Sequence, residues 1–244
     1  MDLKGKRALV TGSAVRVGRV IALKIAERGA DVAVHYNRSA DQAESAAEEI
    51  RAFGVKAVTV QGDVTRAGEV DRIAEEIEAG LGPLDVLVNN ASIYYPKPFD
   101  ELTEEDWDRN LAVNAKAPFL LARRIAPGMK SRGRGKIVNI VDWAAERPYK
   151  GYLPYCASKA ALVNLTKSLA LALSPEVQVN GVAPGPILLP EDFTAEEIEA
   201  VKRAVPLKRV GSPEDIAATV LFLIEGTDFM TGSIVTVDGG RMIA

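Results

Sequence analysis

The 244-residue chain holds a single cysteine and a single histidine. One cysteine, Cys156, cannot build an internal disulfide framework, which suits a reducing compartment and predicts a cytoplasmic protein. One His and one Cys also leave no Cys/His metal cluster and no Ser-His-Asp logic beyond His35, and nothing points to a metal site of carboxylates alone. The amino-terminal stretch MDLKGKRALVTGSA has no apolar run long enough for a signal peptide or a membrane span. Thirty Lys and Arg against 33 Asp and Glu give a net charge of −3, with no basic block or stripe, so neither nucleic acid nor a membrane is the expected partner. Internal repeats, low-complexity tracts and linkers are missing as well. What is present is a 48% apolar composition, ample for the core of one domain spanning residues 1–244.

Strand and helix patterns alternate along the chain. Short apolar runs predict strands at Arg7–Val10, Asp31–Tyr36, Lys56–Gln61, Asp85–Val88, Lys136–Val141, Gln178–Ala183 and Ser233–Val237. Helices are predicted over Gly18–Arg28, over Asp41–Phe53 with Asp41 and Glu44 as a capping-box-like start, and over Ala67–Ala79. Thr103-x-x-Asp106 opens a long helix that carries Asn114 and should kink at Pro118. A helix follows around Tyr155–Lys159, and Thr194-x-x-Glu197 and Ser212-Pro213-Glu214-Asp215 open two more. The pattern predicts an α/β fold: one doubly wound (Rossmann) domain with a seven-stranded, mainly parallel sheet and helices on both faces.

Three stretches carry chemistry. Tyr155 and Lys159 are four residues apart, so a helix sets phenol and ammonium on one face, where a cation favours tyrosinate. Alone the pattern is short and is weak evidence, a solvated tyrosine and lysine being the commoner source of it. The first strand runs into Thr11-Gly12-Ser13-Ala14-Val15-Arg16-Val17-Gly18 and then a helix, the place where a nucleotide-binding βαβ unit brings backbone to phosphate. The second strand ends His35-Tyr36-Asn37-Arg38-Ser39, without the acid that would accept from a ribose 2′-hydroxyl; a guanidinium and a hydroxyl suit a 2′-phosphate instead. NADPH is therefore the expected cofactor. His35 reads as a strand-end packing or cofactor-edge residue, not a catalyst.

These stretches, with Asp63-Val64, Asn89-Asn90-Ala91, Asn114, Val179-Asn180, Pro184-Gly185 and Val237-Asp238-Gly239-Gly240, resemble the short-chain dehydrogenase/reductase superfamily over essentially the whole chain. The resemblance implies a cofactor site of Gly12, Arg16, Val17, Tyr36, Arg38, Ser39, Asp63, Val64, Asn90, Ala91, Pro184, Gly185 and Ile187, completed by Tyr155 and Lys159. It implies catalysis by Tyr155 with Lys159, which holds the nicotinamide ribose and lowers the tyrosine pKa, and by Asn114, which anchors a water near the lysine. A homotetramer assembled on the two long helices is implied too.

Two positions depart from the common pattern: Arg16 replaces a glycine, and Asp142 stands where a serine is usual, thirteen residues before Tyr155. Both departures resemble the pteridine reductase branch, including dihydromonapterin reductase-like proteins. That branch implies a substrate site of Arg16, Ser92, Tyr94, Asp142 and Tyr155, with Tyr94 stacking on a flat pterin, and adds Asp142 to the catalytic set as the group that orients the tyrosine and the pterin edge. Ile187 departs from that branch, which carries a polar residue there. The alternative on the same scaffold is a 3-oxoacyl-carrier-protein reductase or another carbonyl reductase. A non-enzymatic cofactor sensor is disfavoured by the intact Asn114, Tyr155 and Lys159.

Overall fold

The computed structural model describes residues 1–189 and 193–244. Its central strands are short, largely apolar runs buried on both faces, as parallel strands between two helical layers must be. β1 (Arg7–Val10), β2 (Asp31–Tyr36), β3 (Ala57–Gln61), β4 (Val86–Asn89), β5 (Gly135–Ile140), β6 (Val177–Pro184) and β7 (Ile234–Val237) form one sheet. Its order is β3-β2-β1-β4-β5-β6-β7, and every neighbouring pair is parallel. The order reverses direction between β1 and β4, and a crevice opens there beyond the carboxyl ends of the strands.

Helices α1 (Arg16–Glu27), α2 (Ala40–Arg51) and α8 (Pro213–Leu221) cover one face through Ile21, Ile25, Ile50, Ile216 and Val220. Helices α3 (Ala67–Gly80) and α5 (Ala117–Ser131) cover the other through Ile73, Ile77, Leu121 and Ile125, and α6 (Leu153–Leu173) joins them there by Ala170. The short α4 (Glu104–Leu111) and α7 (Ala195–Ala204) flank the carboxyl-end crevice. The capping boxes expected at Thr103, Thr194 and Ser212 all form.

Two helix readings change. The Asp41/Glu44 start of α2 is not a capping box: Ser39 precedes the helix without a side-chain cap, and Glu44 pairs instead with Arg51 at 2.7 Å. The break expected at Pro118 falls earlier, as a π-helical turn over Ala112–Lys116 that contains Asn114. Pro118 sits in the first turn of α5, where its missing N–H and fixed φ are tolerated. Several strand and helix ends also move by one or two residues.

A buried polar ladder fixes α6 against the sheet. Asn89 Nδ2 donates to Asn139 Oδ1 at 2.7 Å, Asn139 Nδ2 donates to Thr166 Oγ1 at 2.9 Å, and Thr166 donates to the Leu162 carbonyl at 2.7 Å. Such bonds are directional, so they set the rotation and height of α6, which apolar packing alone leaves free.

The turn between β1 and α1 is equally constrained. A Cβ at Gly18 would overlap the Gly12 carbonyl oxygen and lie 2.5 Å from Asn90 Nδ2. Gly18→Ala is therefore expected to cost about 1–3 kcal/mol through overpacking. The readout is a lower urea midpoint at unchanged slope. An unaltered midpoint would mean that the turn is not closed as described.

Candidate active site

The turn after β1 is held by hydrogen bonds to the end of β4. Thr11 Oγ1 accepts from the Asn90 and Ala91 backbone N–H groups, both at 2.9 Å, and Asn90 Nδ2 donates to the carbonyls of Thr11 (2.9 Å) and Gly12 (3.2 Å). The carboxyl ends of β1 and β4 are thereby clamped side by side. Val15 precedes helix α1 and gives it no side-chain cap, so its first-turn N–H groups remain available to an external anion. Arg16 has φ of +56°. A left-handed backbone costs a non-glycine residue about 1 kcal/mol or more, which explains why glycine is usual at this point of the turn.

His35 is buried beneath this turn. Its Nδ1 accepts from the Gly12 N–H at 3.1 Å, and its Nε2 lies 3.1 Å from the Gly62 carbonyl. Burial pushes its pKa down to about 4, against the opposing pull of the Gly62 carbonyl and the Asp63 charge. Arg38 and Ser39 stand at the rim just beyond the end of β2, and Asp63 and Val64 follow β3 along the same wall.

At the other end, Asp142 follows β5 and caps a short turn by accepting from the Ala144 N–H at 2.8 Å. Its second carboxylate oxygen accepts the Tyr155 hydroxyl at 2.7 Å. Burial raises the Asp142 pKa, opposed by the Ala144 N–H, the Tyr155 hydroxyl and the Lys159 charge. Tyr155 is held well above its ordinary value by burial and then by the neighbouring Asp142 charge.

The expectation that Lys159 lowers the tyrosine pKa is therefore corrected. Lys159 Nζ donates to the Ile140 carbonyl at 2.9 Å and lies 5.7 Å from the Tyr155 ring centroid, while the carboxylate is in direct contact with the phenol. The nearer anion wins. Lys159 is itself destabilised as a cation: burial pushes its pKa down to about 8, with Asp142 pulling the other way.

Asn114 sits in the π-helical turn, against Ser158 of α6. It does not line the cavity but lies fully buried behind it. Its Oδ1 accepts from Ser92 Oγ and the Ile93 N–H, both at 3.0 Å, while its Nδ2 donates to the Ile93 carbonyl (3.2 Å) and Ser158 Oγ (3.0 Å). The π-helical turn brings this amide between the loop after β4 and helix α6. Its visible job is to brace that loop against the helix that carries Tyr155.

Tyr94 is half-exposed, stacked on Tyr152 with centroids 4.4 Å apart and edge-on to Tyr155 at 4.9 Å. Trp143 stacks on Tyr149 at 5.6 Å. The sequence reading missed Trp143, Tyr149 and Tyr152, although a signal was there: three of the six tyrosines fall between residues 149 and 155, directly before Lys159. It also missed Arg241, which lies over the Trp143 ring at 5.3 Å. On the opposite side are Pro184, Gly185 and Ile187; a Cβ on Gly185 would come within 2.6 Å of Asp238, so the β6 end and the Asp238 turn need that glycine to pack.

One cavity of about 1120 Å³ runs between these surfaces from Arg38 and Ser39 to Tyr94 and Tyr155. Every site residue expected from the sequence lines it except Asn114. Its form fits a dinucleotide, with an uncapped helix end for the pyrophosphate, a cationic rim at one end and the Tyr155–Asp142 pair at the other. Among the described residues no group of three or more His, Cys, Asp or Glu could hold a metal ion, and no described helix is long and apolar enough to cross a membrane.

A doubly wound sheet whose switch-point cavity ends in an ordered Tyr/Lys pair defines a nucleotide-dependent oxidoreductase class, and comparison with known proteins agrees. Residues 12–241 match the family described as Enoyl-(Acyl carrier protein) reductase. The chain is 36% identical over 249 aligned residues to 5-keto-D-gluconate 5-reductase of Escherichia coli K12, covering 100% of this chain and 98% of that one. It is 37% identical to the 3-oxoacyl-[acyl-carrier-protein] reductase FabG of Staphylococcus epidermidis, covering 96% and 98%. Among solved structures, a 7α-hydroxysteroid dehydrogenase complexed with NADH and 7-oxoglycochenodeoxycholic acid superposes with a TM-score of 0.93 at 36% identity, over 98% and 94% of the two chains. A gluconate 5-dehydrogenase from Burkholderia cenocepacia in complex with NADP and tartrate gives 0.92 at 32%, over 99% and 96%. The chain belongs to the short-chain dehydrogenase/reductase superfamily and is an oxidoreductase.

The Lys159 environment gives a pH expectation. With its pKa lowered to about 8, the cation is present below that pH and lost as pH rises through it. The kcat/KM profile should therefore fall on an alkaline limb near pH 8, and the residual activity of Lys159→Arg should lack that limb. A profile flat to pH 10 in the unmodified protein would contradict the assignment.

Proposed function

We propose that the protein is an NADPH-dependent reductase of a flat, N–H-edged heterocycle of the pterin class, a dihydropterin being reduced to the tetrahydro level. The observation that carries this reading is the 2.7 Å hydrogen bond from Tyr155 to Asp142, a carboxylate at the reacting end of the cavity. Bound NADPH supplies the hydride. Arg38 and Ser39 are suited to its 2′-phosphate, the first turn of α1 with Arg16 to its pyrophosphate, and Lys159 to its nicotinamide ribose. Tyr155, kept neutral, holds the proton for the ring nitrogen beside the carbon that gains the hydride. Asp142 accepts an N–H from the ring edge, a role that a serine performs less well and that a developing oxyanion would oppose. Tyr94 offers the aromatic contact for a flat ring.

A second reading has its own support. The matched relatives named above act on keto-sugar acids, 3-oxoacyl groups or steroids, so likeness to known proteins backs a carbonyl reductase better than a pterin reductase. Those relatives differ in substrate among themselves at the same 36–37% identity. Identity of that order therefore transmits the reaction more faithfully than the substrate, and what favours the pterin reading is the carboxylate in contact with Tyr155. Exposed Trp107, Phe119, Leu153 and Leu171 along α4, α5 and α6 support the homotetramer as the assembly.

The substrate reading is tested by NADPH oxidation with dihydropterins, acetoacetyl thioesters and 5-keto-D-gluconate. The dihydropterin is expected to give the highest kcat/KM, Tyr155→Phe to lose about 10²–10⁴ in rate, and Asp142→Ser to weaken pterin reduction. Efficient ketone reduction with no pterin turnover would establish the second reading instead. For the cofactor, NADPH is expected to bind at least about tenfold (1.4 kcal/mol) more tightly than NADH, with Arg38→Asp erasing or inverting the preference by titration calorimetry. Equal affinities in the unmodified protein would remove the Arg38 assignment.

A further inference from the structure

The buried imidazole of His35 is absorbed by no step of the reaction. It is 2% exposed, and both ring nitrogens are engaged by backbone. The Gly12 nitrogen can only donate, so Nδ1 facing it must be a lone pair. The Gly62 carbonyl can only accept, so Nε2 facing it must carry the hydrogen. Geometry thus admits a single form, the neutral Nε2–H tautomer. The backbone of His35 is tied in as well: its N–H donates to Ser13 Oγ at 3.2 Å, and its carbonyl accepts from the Ser13 N–H at 3.0 Å.

Gly12 belongs to the turn before α1, and Gly62 to the turn that leads into Asp63 and Val64. Both line the cofactor end of the cavity, and His35 is the side chain that spans them. We infer that His35 is a positioning residue: as a neutral Nε2–H imidazole it holds the phosphate turn and the β3 turn at the separation the dinucleotide requires. A protonated ring would turn an N–H toward the Gly12 N–H and break that contact. Asp63 is the charged group that faces the ring, from the β3 side; the Gly12 and Ser13 side presents none.

This role rests on the cofactor reading, so its test has one arm without cofactor. His35 is the chain's single histidine, and its ¹⁵N signals in histidine-labelled protein are therefore unambiguous. Long-range ¹H–¹⁵N spectra are expected to show the Nε2–H tautomer at neutral pH, titrating near pH 4, and to shift when NADP⁺ is added. His35→Leu, which fills the space without either bond, is expected to raise the NADP⁺ Kd by at least about tenfold (1.4 kcal/mol) with a much smaller change in kcat. His35→Gln, which keeps one acceptor and one donor, should recover part of that affinity and serves as the readout if the leucine variant does not fold. An Nδ1–H tautomer, or titration near pH 6.5 in the folded protein, would overturn the bridge. A Kd within twofold of the unmodified protein in both variants would overturn the positioning role while leaving the cofactor reading intact. Failure of the unmodified protein to bind NADP⁺ would remove both.

Discussion

The site depends on the hydrogen bond between Tyr155 and Asp142. A phenol in contact with a carboxylate, both buried, is kept from ionising by desolvation and by the adjacent negative charge. The same contact keeps the tyrosine in its protonated form, a weaker acid than a free phenol but one that enters the reaction with its proton in place. Lys159 limits the cost of the arrangement without reversing it: the ammonium is farther away, spends an N–H on the Ile140 carbonyl and is itself weakened by burial. A carboxylate in this place thus governs the protonation of the tyrosine and puts negative charge at this end of the cavity.

The remaining architecture delivers these groups to one place. The Asn89–Asn139–Thr166 ladder sets the height of α6 on the sheet, and the π-helical turn projects Asn114 against Ser158 on that helix. At the far end the Thr11–Asn90 clamp and the His35 bridge hold the phosphate turn. Each of these contacts is buried and directional, so the cavity is specified by hydrogen-bond geometry as much as by apolar packing.

Much of this was legible in the sequence, for identifiable reasons. Strand positions followed from buried apolar runs, and three capping boxes followed from local side-chain chemistry. The cavity lining was readable because glycine spacing, Tyr155-x-x-x-Lys159 and Arg38-Ser39 each state a local requirement. What failed depended on distance in the chain. Glu44 is drawn to Arg51 and away from capping its helix, and a proline position cannot say that the helix will relax one turn earlier as a π-helical turn. The Tyr155 environment was misjudged because sequence spacing shows which charge shares a helix face, not that Asp142 would approach more closely from another element. Tyr149 and Tyr152 were overlooked because their stacking partners are set by the loop fold. The comparisons supply the superfamily plainly, and the relatives they name are reductases and dehydrogenases of carbonyl and hydroxyl groups, which backs the carbonyl alternative better than the pterin reading.

The central claim is that burial and the contact with Asp142 together keep Tyr155 protonated. Titration of the tyrosine phenols by ¹³C NMR in ring-labelled protein, with Tyr155 assigned through Tyr155→Phe, measures this directly. The account predicts that Tyr155 remains a phenol beyond pH 10 and that Asp142→Asn lowers its pKa. A Tyr155 that ionises near neutral pH in the unmodified protein, or that is indifferent to Asp142→Asn, would contradict it.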